Sequence, residues 1–144
     1  MRWSGNGFIL GLKTHNEASY ILDVFTEEQG RHKGLIRGIH SKNLRAVIEP
    51  GNEVKINWSG RLESHLGNFT VEPVKLWSSY ILNQKVNLLG VSSLCSIIMT
   101  TMAEKQENLF IYDKSLQLLK DMSQNHDDWI KKYIFCLLYT SDAA

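Results

Sequence analysis

A chain of 144 residues with 43% apolar and 22% charged side chains lies in the ordinary globular class, which excludes intrinsic disorder, and is long enough for one medium domain or two small ones. The formal charge of +1 names no partner, but its distribution does. Up to Ser78 ten basic residues face eight acidic ones and beyond it six face seven, so a nucleic-acid surface is expected in the first half.

Residues 1–6 lead into Phe8-Ile9-Leu10-Gly11-Leu12, an apolar run too short and too soon followed by Lys13 and His15 to be a secretory signal, so no export is implied and a cytoplasmic location is expected. Residues 8–13 read as a first strand and residues 15–18 as the loop after it. His15, Glu17 and Ser19 invite a catalytic reading. No nucleophile elbow and no second acid at a recognisable spacing accompany them, so they read as turn residues and no enzyme is expected. Residues 19–25 alternate as a second strand, and residues 26–30 close a hairpin onto a third.

That third strand opens the most uneven stretch of the chain. Arg31, Lys33, Arg37, Lys42 and Arg45 come with His32 and His40 and with no carboxylate between them. Period 2 puts Arg31, Lys33 and Arg37 on one face and Gly34, Ile36 and Gly38 on the other. Charge alone fits two readings equally: a polyanion surface, or a solvated strand kept charged against aggregation. With residues 26–30 as the loop, Phe25 falls opposite Arg31 and Asp23 opposite Lys33, while Tyr20, Leu22, Val24 and Ile36 fill the core. Phe25 is then either a stacking surface for a base beside Arg31 or a core aromatic.

Residues 38–50 form a connection carrying His40, Lys42 and Arg45, with a short helical turn over residues 44–48, ended by Pro50-Gly51. Val54, Ile56 and Trp58 mark a fourth strand, Arg61 sits in the turn after it, and residues 68–76 make a fifth strand that Pro73 places partly at an edge. Five short strands with the longest connection after the third predict a closed barrel of the OB type over residues 1–77. Beyond Trp77 the period becomes helical, through Val91, Leu94, Ile98 and Met102 and then Leu109, Tyr112, Leu116 and Leu119. Asp127-Asp128 can cap a third helix from Trp129. The apolar stretch at residues 86–102 is interrupted by Asn87, Ser92, Ser93, Ser96, Thr100 and Thr101, which excludes a membrane span there. Cys95 and Cys136 read as small core residues. Residues 129–138 are apolar almost all round, so the helical part, residues 78–137, reads as incomplete.

The motifs carry a resemblance. Gly7-Phe8-Ile9-Leu10 with Glu17, then Val24-Phe25-Thr26-Glu27-Glu28-Gln29-Gly30-Arg31, then Gly34-Leu35-Ile36-Arg37-Gly38 with Ser41-Lys42, continue into Pro50-Gly51, Trp58, Arg61-Leu62, His65-Leu66-Gly67 and Val71-Glu72-Pro73. This series resembles the RecO family of bacterial recombination mediators, in a form similar to alphaproteobacterial members. It covers residues 1–77 well and the helices to Phe135 more loosely. The resemblance implies an N-terminal OB domain followed by a helical domain, binding of single- and double-stranded DNA without sequence preference, and strand annealing. It also implies partnership with single-stranded DNA-binding protein and with RecR in loading RecA. It implies no bond chemistry, no small-molecule substrate, no membrane and no nucleotide cofactor. Many relatives carry a cysteine zinc site downstream of the helix that begins here at Trp129, so no metal is assigned. Residues 138–144 depart from the family and are similar to translated adapter tails; they are left out of the fold expectation.

The DNA-binding set expected on this basis is Arg31, Lys33 and Arg37 on the strand, His40, Lys42, Arg45 and Arg61 on loops, and Phe25 beside them. A competing reading makes the barrel a protein-interaction module whose basic face binds an acidic peptide. An enzyme acting on an anionic substrate is a third reading, without a converging acid, base and nucleophile.

Overall fold

The computed structural model describes residues 1–81, 84–124 and 129–143, with the side chains of residue 42 and residues 139–143 left out of the description. Five strands come first: β1 (Arg2–Thr14), β2 (Ser19–Thr26), β3 (Gly30–Arg37), β4 (Glu53–Ser59) and β5 (Asn68–Lys75), with a short helix α1 (Lys42–Val47) between β3 and β4. Helices α2 (Ser78–Ile81), α3 (Lys85–Thr101), α4 (Leu109–Ser123) and α5 (Trp129–Ala143) follow. The strands close in the order β1-β2-β3-β5-β4, the OB-type barrel expected.

Closure depends on β1, which is longer than the apolar run at residues 8–13 suggests. Its first half pairs with β4, from Arg2↔Ser59 to Phe8↔Glu53, and its second half with β2, from Gly7↔Thr26 to Thr14↔Tyr20. The polar and glycine-rich start, Arg2 to Gly7, hid this strand from a hydrophobic pattern. A register shift between Ile9 and Gly11 is a bulge, which bends one strand so that it can serve two neighbours. The barrel shuts through one short contact, where Leu35 on β3 pairs with Asn68 on β5 and its amide donates to the Gly67 carbonyl at 2.9 Å. Beyond Asn68, Pro73 lies on the part of β5 that pairs with β4 alone, the edge position expected of it.

Two apolar clusters result. Inside the barrel are Ile9, Leu22, Val24, Ile36, Val54, Ile56, Trp58 and Phe69, capped by Ile39, Val47 and Ile48 at the α1 end. Tyr20 is half-buried at the rim of this core, not within it as the alternation suggests. The second cluster is formed where Phe8, Leu10 and Phe25, pointing out of the barrel, meet Val91, Leu94 and Ile98 of α3 and Ile111, Tyr112 and Leu119 of α4. Asn52 links the parts: buried, it donates from Nδ2 to the Ala46 and Val47 carbonyls at 3.0 and 3.2 Å and accepts the Ser78 amide at 2.9 Å.

The helical spacing holds for Val91, Leu94, Ile98 and Met102, all buried. In α4 it holds for Tyr112 and Leu119, whereas Leu109, in the first turn, is exposed. Asn108 caps that helix by accepting the Ile111 amide at 3.1 Å. The cap expected from Asp127-Asp128 lies outside the described residues. Ile130, Ile134, Phe135 and Leu138 on α5 are exposed, while Trp129 and Cys136 are buried, consistent with an apolar helix covered on one side only. Cys95 is also buried, and burial pushes its thiol up to about 12, so it stays protonated and packs as a small apolar residue.

Candidate nucleic-acid interface

The expected hairpin register is the observed one: Phe25↔Arg31 and Asp23↔Lys33 are partners between β2 and β3. On β3, Arg31, Lys33, Leu35 and Arg37 point outward, while His32, Gly34 and Ile36 are buried. The outer row nevertheless divides into two ends with different surroundings.

At the first end the helical part lies directly on the strand. Residues 102–106, which connect α3 to α4, run parallel to β3. The Lys105 amide donates to the Arg31 carbonyl at 2.7 Å, and Arg31 and Glu104 form a bridge. Gly30 makes this approach possible: with φ at +69° it sits so close to Gln106 that a Cβ would lie 2.2 Å from its carbonyl oxygen. The Arg31 guanidinium is consumed here. Nη2 donates to Asp23 Oδ2 at 2.9 Å and Nη1 to the Met102 carbonyl at 3.0 Å, and the two charged side chains are only 12% and 9% exposed.

Arg31 is therefore corrected from a phosphate ligand to a staple between barrel and helices. Asp23 also departs from the expected pairing, reaching diagonally to Arg31 instead of across to Lys33. Burial raises its pKa above the usual carboxylate range despite the guanidinium beside it. Lys33 pairs with Glu104 at 3.1 Å instead, and that hydrogen bond holds the Glu104 carboxyl below its ordinary range. Phe25 is 0% exposed and packs with Phe8 and Tyr112 at ring separations of 5.6 and 5.7 Å. It is a core aromatic and not a surface on which a base could stack.

The second end is open. The register carries Lys13 on β1 next to Ile21 on β2 and Leu35 on β3, and Arg37 next to Ser19. Paired residues share a side of the sheet, so Lys13, Ile21 and Leu35 form one outward row with Arg37 beyond it. Lys13 and Arg37 are exposed, Ile21 and Leu35 half-buried. Lys13 was missed as a site residue; extending the β1–β2 pairing back from the loop would have found it. In that loop His15 and Glu17 are exposed, and the Asn16 side-chain oxygen accepts the Ala18 and Ser19 amides, each at 2.9 Å. These are turn residues, as expected.

His40 and Arg45 sit by the open end. His40 meets Tyr20 edge-on at 6.3 Å. Arg45 is exposed on α1 and lines a cleft of about 350 Å³ with Leu12, Tyr20 and Glu49. Arg61 is exposed on the loop before β5, away from these two: that loop's Gly67 carbonyl holds Leu35, and its Glu63 carbonyl accepts from Lys105 Nζ at 2.6 Å beside the covered end. Lys42 is the first residue of α1, and its side chain lies outside the described residues. Among the described residues the side chains of Lys13, Arg37, Arg45 and Arg61 have no hydrogen-bond or ion-pair partner. His32, by contrast, points into the barrel against Trp3, Trp58 and Phe69 at 5.0, 5.4 and 6.2 Å, and burial lowers its pKa. It adds no charge to the outer face at neutral pH.

This barrel, with its Thr26-to-Arg31 hairpin and its basic third strand, is what the family model Recombination protein O N terminal matches, over residues 1–77. The chain belongs to the RecO family. Among relatives, it is 33% identical to DNA repair protein RecO of Cereibacter sphaeroides strain ATCC 17029 over 119 residues, which cover 83% of this chain and 49% of that protein. The RecO of Dinoroseobacter shibae is 33% identical over 134 residues, 93% of this chain and 55% of the relative, and that of Chelativorans sp. strain BNC1 is 43% identical over 96 residues, 67% and 39% respectively. The chain thus spans about half the length of the RecO proteins it matches. The matched region contains every candidate DNA ligand. No helix of the described residues is long and apolar enough to cross a membrane.

Proposed function

We propose that this RecO-family chain binds DNA without sequence preference through the open end of the β1–β2–β3 face and the loops around it, in the service of DNA repair and recombination in the cytoplasm. The observation that carries the reading is the set of three cations, Lys13, Arg37 and Arg45, which lie about that end and have no partner among the described residues. Guanidinium and ammonium groups position a phosphate backbone and read no base, and the outward row of Lys13, Ile21, Leu35 and Arg37 carries no aromatic, so contacts are mainly to phosphate and tolerate any sequence. Annealing follows from neutralising two strands held near one another. Loading of RecA with RecR on DNA coated by single-stranded DNA-binding protein belongs to the same reading, which requires no bond chemistry and no cofactor. A cleft of about 400 Å³ between α4 and α5, lined by Lys114, Lys131 and Phe135, supplies cations beside an aromatic ring, suited to the acidic tail of the single-stranded DNA-binding protein.

Titration of a fluorescein-labelled single strand across a range of salt tests the core of the proposal. Three to four phosphate contacts give a slope of log affinity against log salt of roughly −2 to −3. The Lys13→Glu/Arg37→Glu double variant should lose most of the binding. A slope near zero, or full binding by that variant, would leave the barrel as a module for acidic peptides.

A further inference from the structure

The outer surface of the barrel does not stop at β3. Through the closing contact, Leu35 pairs with Asn68 on β5, Asn68 with Ser59 on β4, and Ser59 with Arg2 on β1. Two residues along, Thr70, Asn57 and Ser4 form a second row of the same three strands. The inward residues between these rows are Phe69, Trp58 and Trp3, so both rows face out. Together with Trp3 and Trp58 they line a cleft of about 520 Å³.

Its side-chain chemistry is unusual for a solvated sheet face, which normally carries lysines and glutamates. Here the two outward rows carry five neutral hydroxyl and amide groups and one guanidinium, and Trp3 and Trp58 add apolar surface to the cleft. Among the described residues none of the six side chains has a hydrogen-bond partner. Charge of both signs resumes only in the next row, with Lys55 paired to Glu72 across β4 and β5. Unpaired amides and hydroxyls offer donors and acceptors at once, which suits the edges of unstacked bases and the sugar, while Arg2 suits one phosphate.

We infer that a single nucleic-acid strand held by the basic end of β3 continues over β5 and β4 to Arg2. Three strand-to-strand steps carry it about 15 Å around the barrel. Neutral hydrogen bonds hold this second part of the path, and salt-dependent contacts hold the first. A duplex, whose base edges are paired and whose two backbones are far apart, does not fit the cleft. The inference rests on the DNA-binding reading above.

The experiment compares wild type, Arg2→Gln, Asn57→Ala/Asn68→Ala and Arg37→Glu, all surface changes expected to leave the fold intact, on labelled oligothymidylate across a salt series. Arg2→Gln should make the salt slope shallower by about 0.7, the effect of one phosphate on a single strand. The double asparagine variant should bind about tenfold more weakly at every salt concentration, with the slope unchanged. On a blunt duplex neither change should alter affinity. If Arg37→Glu weakens binding while the Arg2 and asparagine variants match wild type, the path ends at β3 and the inference is wrong. If wild type shows no salt slope and Arg37→Glu changes nothing, the DNA-binding reading itself has failed.

Discussion

The two ends of β3 carry the same kind of charge and put it to different uses. Arg31 and Lys33 face carboxylates, Asp23 at 2.9 Å and Glu104 at 3.1 Å, and lie under the connection between α3 and α4. Arg37, four residues on from Lys33, faces Ser19 and has no ionic partner among the described residues. The difference does not come from β3 itself, whose alternation is regular throughout. It comes from what lies on top, which belongs to a part of the chain more than 60 residues away in sequence. A basic strand is therefore a candidate ligand surface only where the rest of the fold leaves it uncovered.

The comparison breaks first, and with the largest effect, at Arg31. Replacing it with Met keeps the apolar stem but leaves Asp23 buried and unpaired. Removing one partner of a buried ion pair costs about 3–5 kcal/mol, and the slight exposure of Arg31 places this case near the lower value, about 3 kcal/mol. The sign of the pH dependence provides a check. Folded Asp23 already binds its proton more tightly than the unfolded chain does, so the stability it contributes is present in acid and lost as pH rises through its raised pKa. Without Arg31 this effect grows. The stability gap between wild type and Arg31→Met, measured by urea unfolding, should narrow toward acid pH. A variant as stable as wild type at neutral pH would show that the covered end is not a staple.

His32 sharpens the contrast between the inside and the outside of the same strand. Buried among Trp3, Trp58 and Phe69, it has a pKa held down by desolvation. Its contribution is full above the unfolded-state value of about 6.5 and is lost as pH falls through the lower folded value, because the unfolded chain then binds the proton more readily. Thermal unfolding between about pH 7.5 and about pH 5 should show stability falling with acid, and His32→Gln should flatten that fall. An unchanged pH profile in the variant would place the acid sensitivity elsewhere.

Much of this was legible in the residues. Alternation fixed the hairpin register, because a slip by one would have buried Arg31, Lys33 and Arg37 beside Ile36's proper place in the core. Trp58 and the Asn68 strand followed from the same period, and Val91, Leu94 and Ile98 from the helical one. What was not legible depended on contacts distant in sequence. Phe25 and Arg31 both point out of the barrel, as expected, but outward meant toward α4 and residues 102–106 and not toward solvent. The early half of β1 was hidden because Ser4, Gly5 and Asn6 carry no apolar signal. Arg2 and Lys13 went unnoticed as surface cations for the same reason: each gains its neighbours only through pairing with β4 or β2.

The smallest effect is expected at Glu104, which divides the two ends. Its carboxylate holds Lys33 at 3.1 Å, with the side chains 45% and 39% exposed, so the pair adds well under 1 kcal/mol to stability. Its position matters more than its energy, because it occupies the one lysine between the staple at Arg31 and the open row at Leu35 and Arg37. A carboxylate on that lysine competes with a phosphate for the same ammonium group. Glu104→Gln should leave the unfolding midpoint nearly unchanged and raise single-strand affinity about two- to threefold, with a salt slope steeper by up to about 0.7 as Lys33 joins the contacts. Weaker binding in the variant would mean that Glu104 orients Lys33 toward the strand instead of withholding it, and the boundary between the two ends would then lie at Arg31 alone.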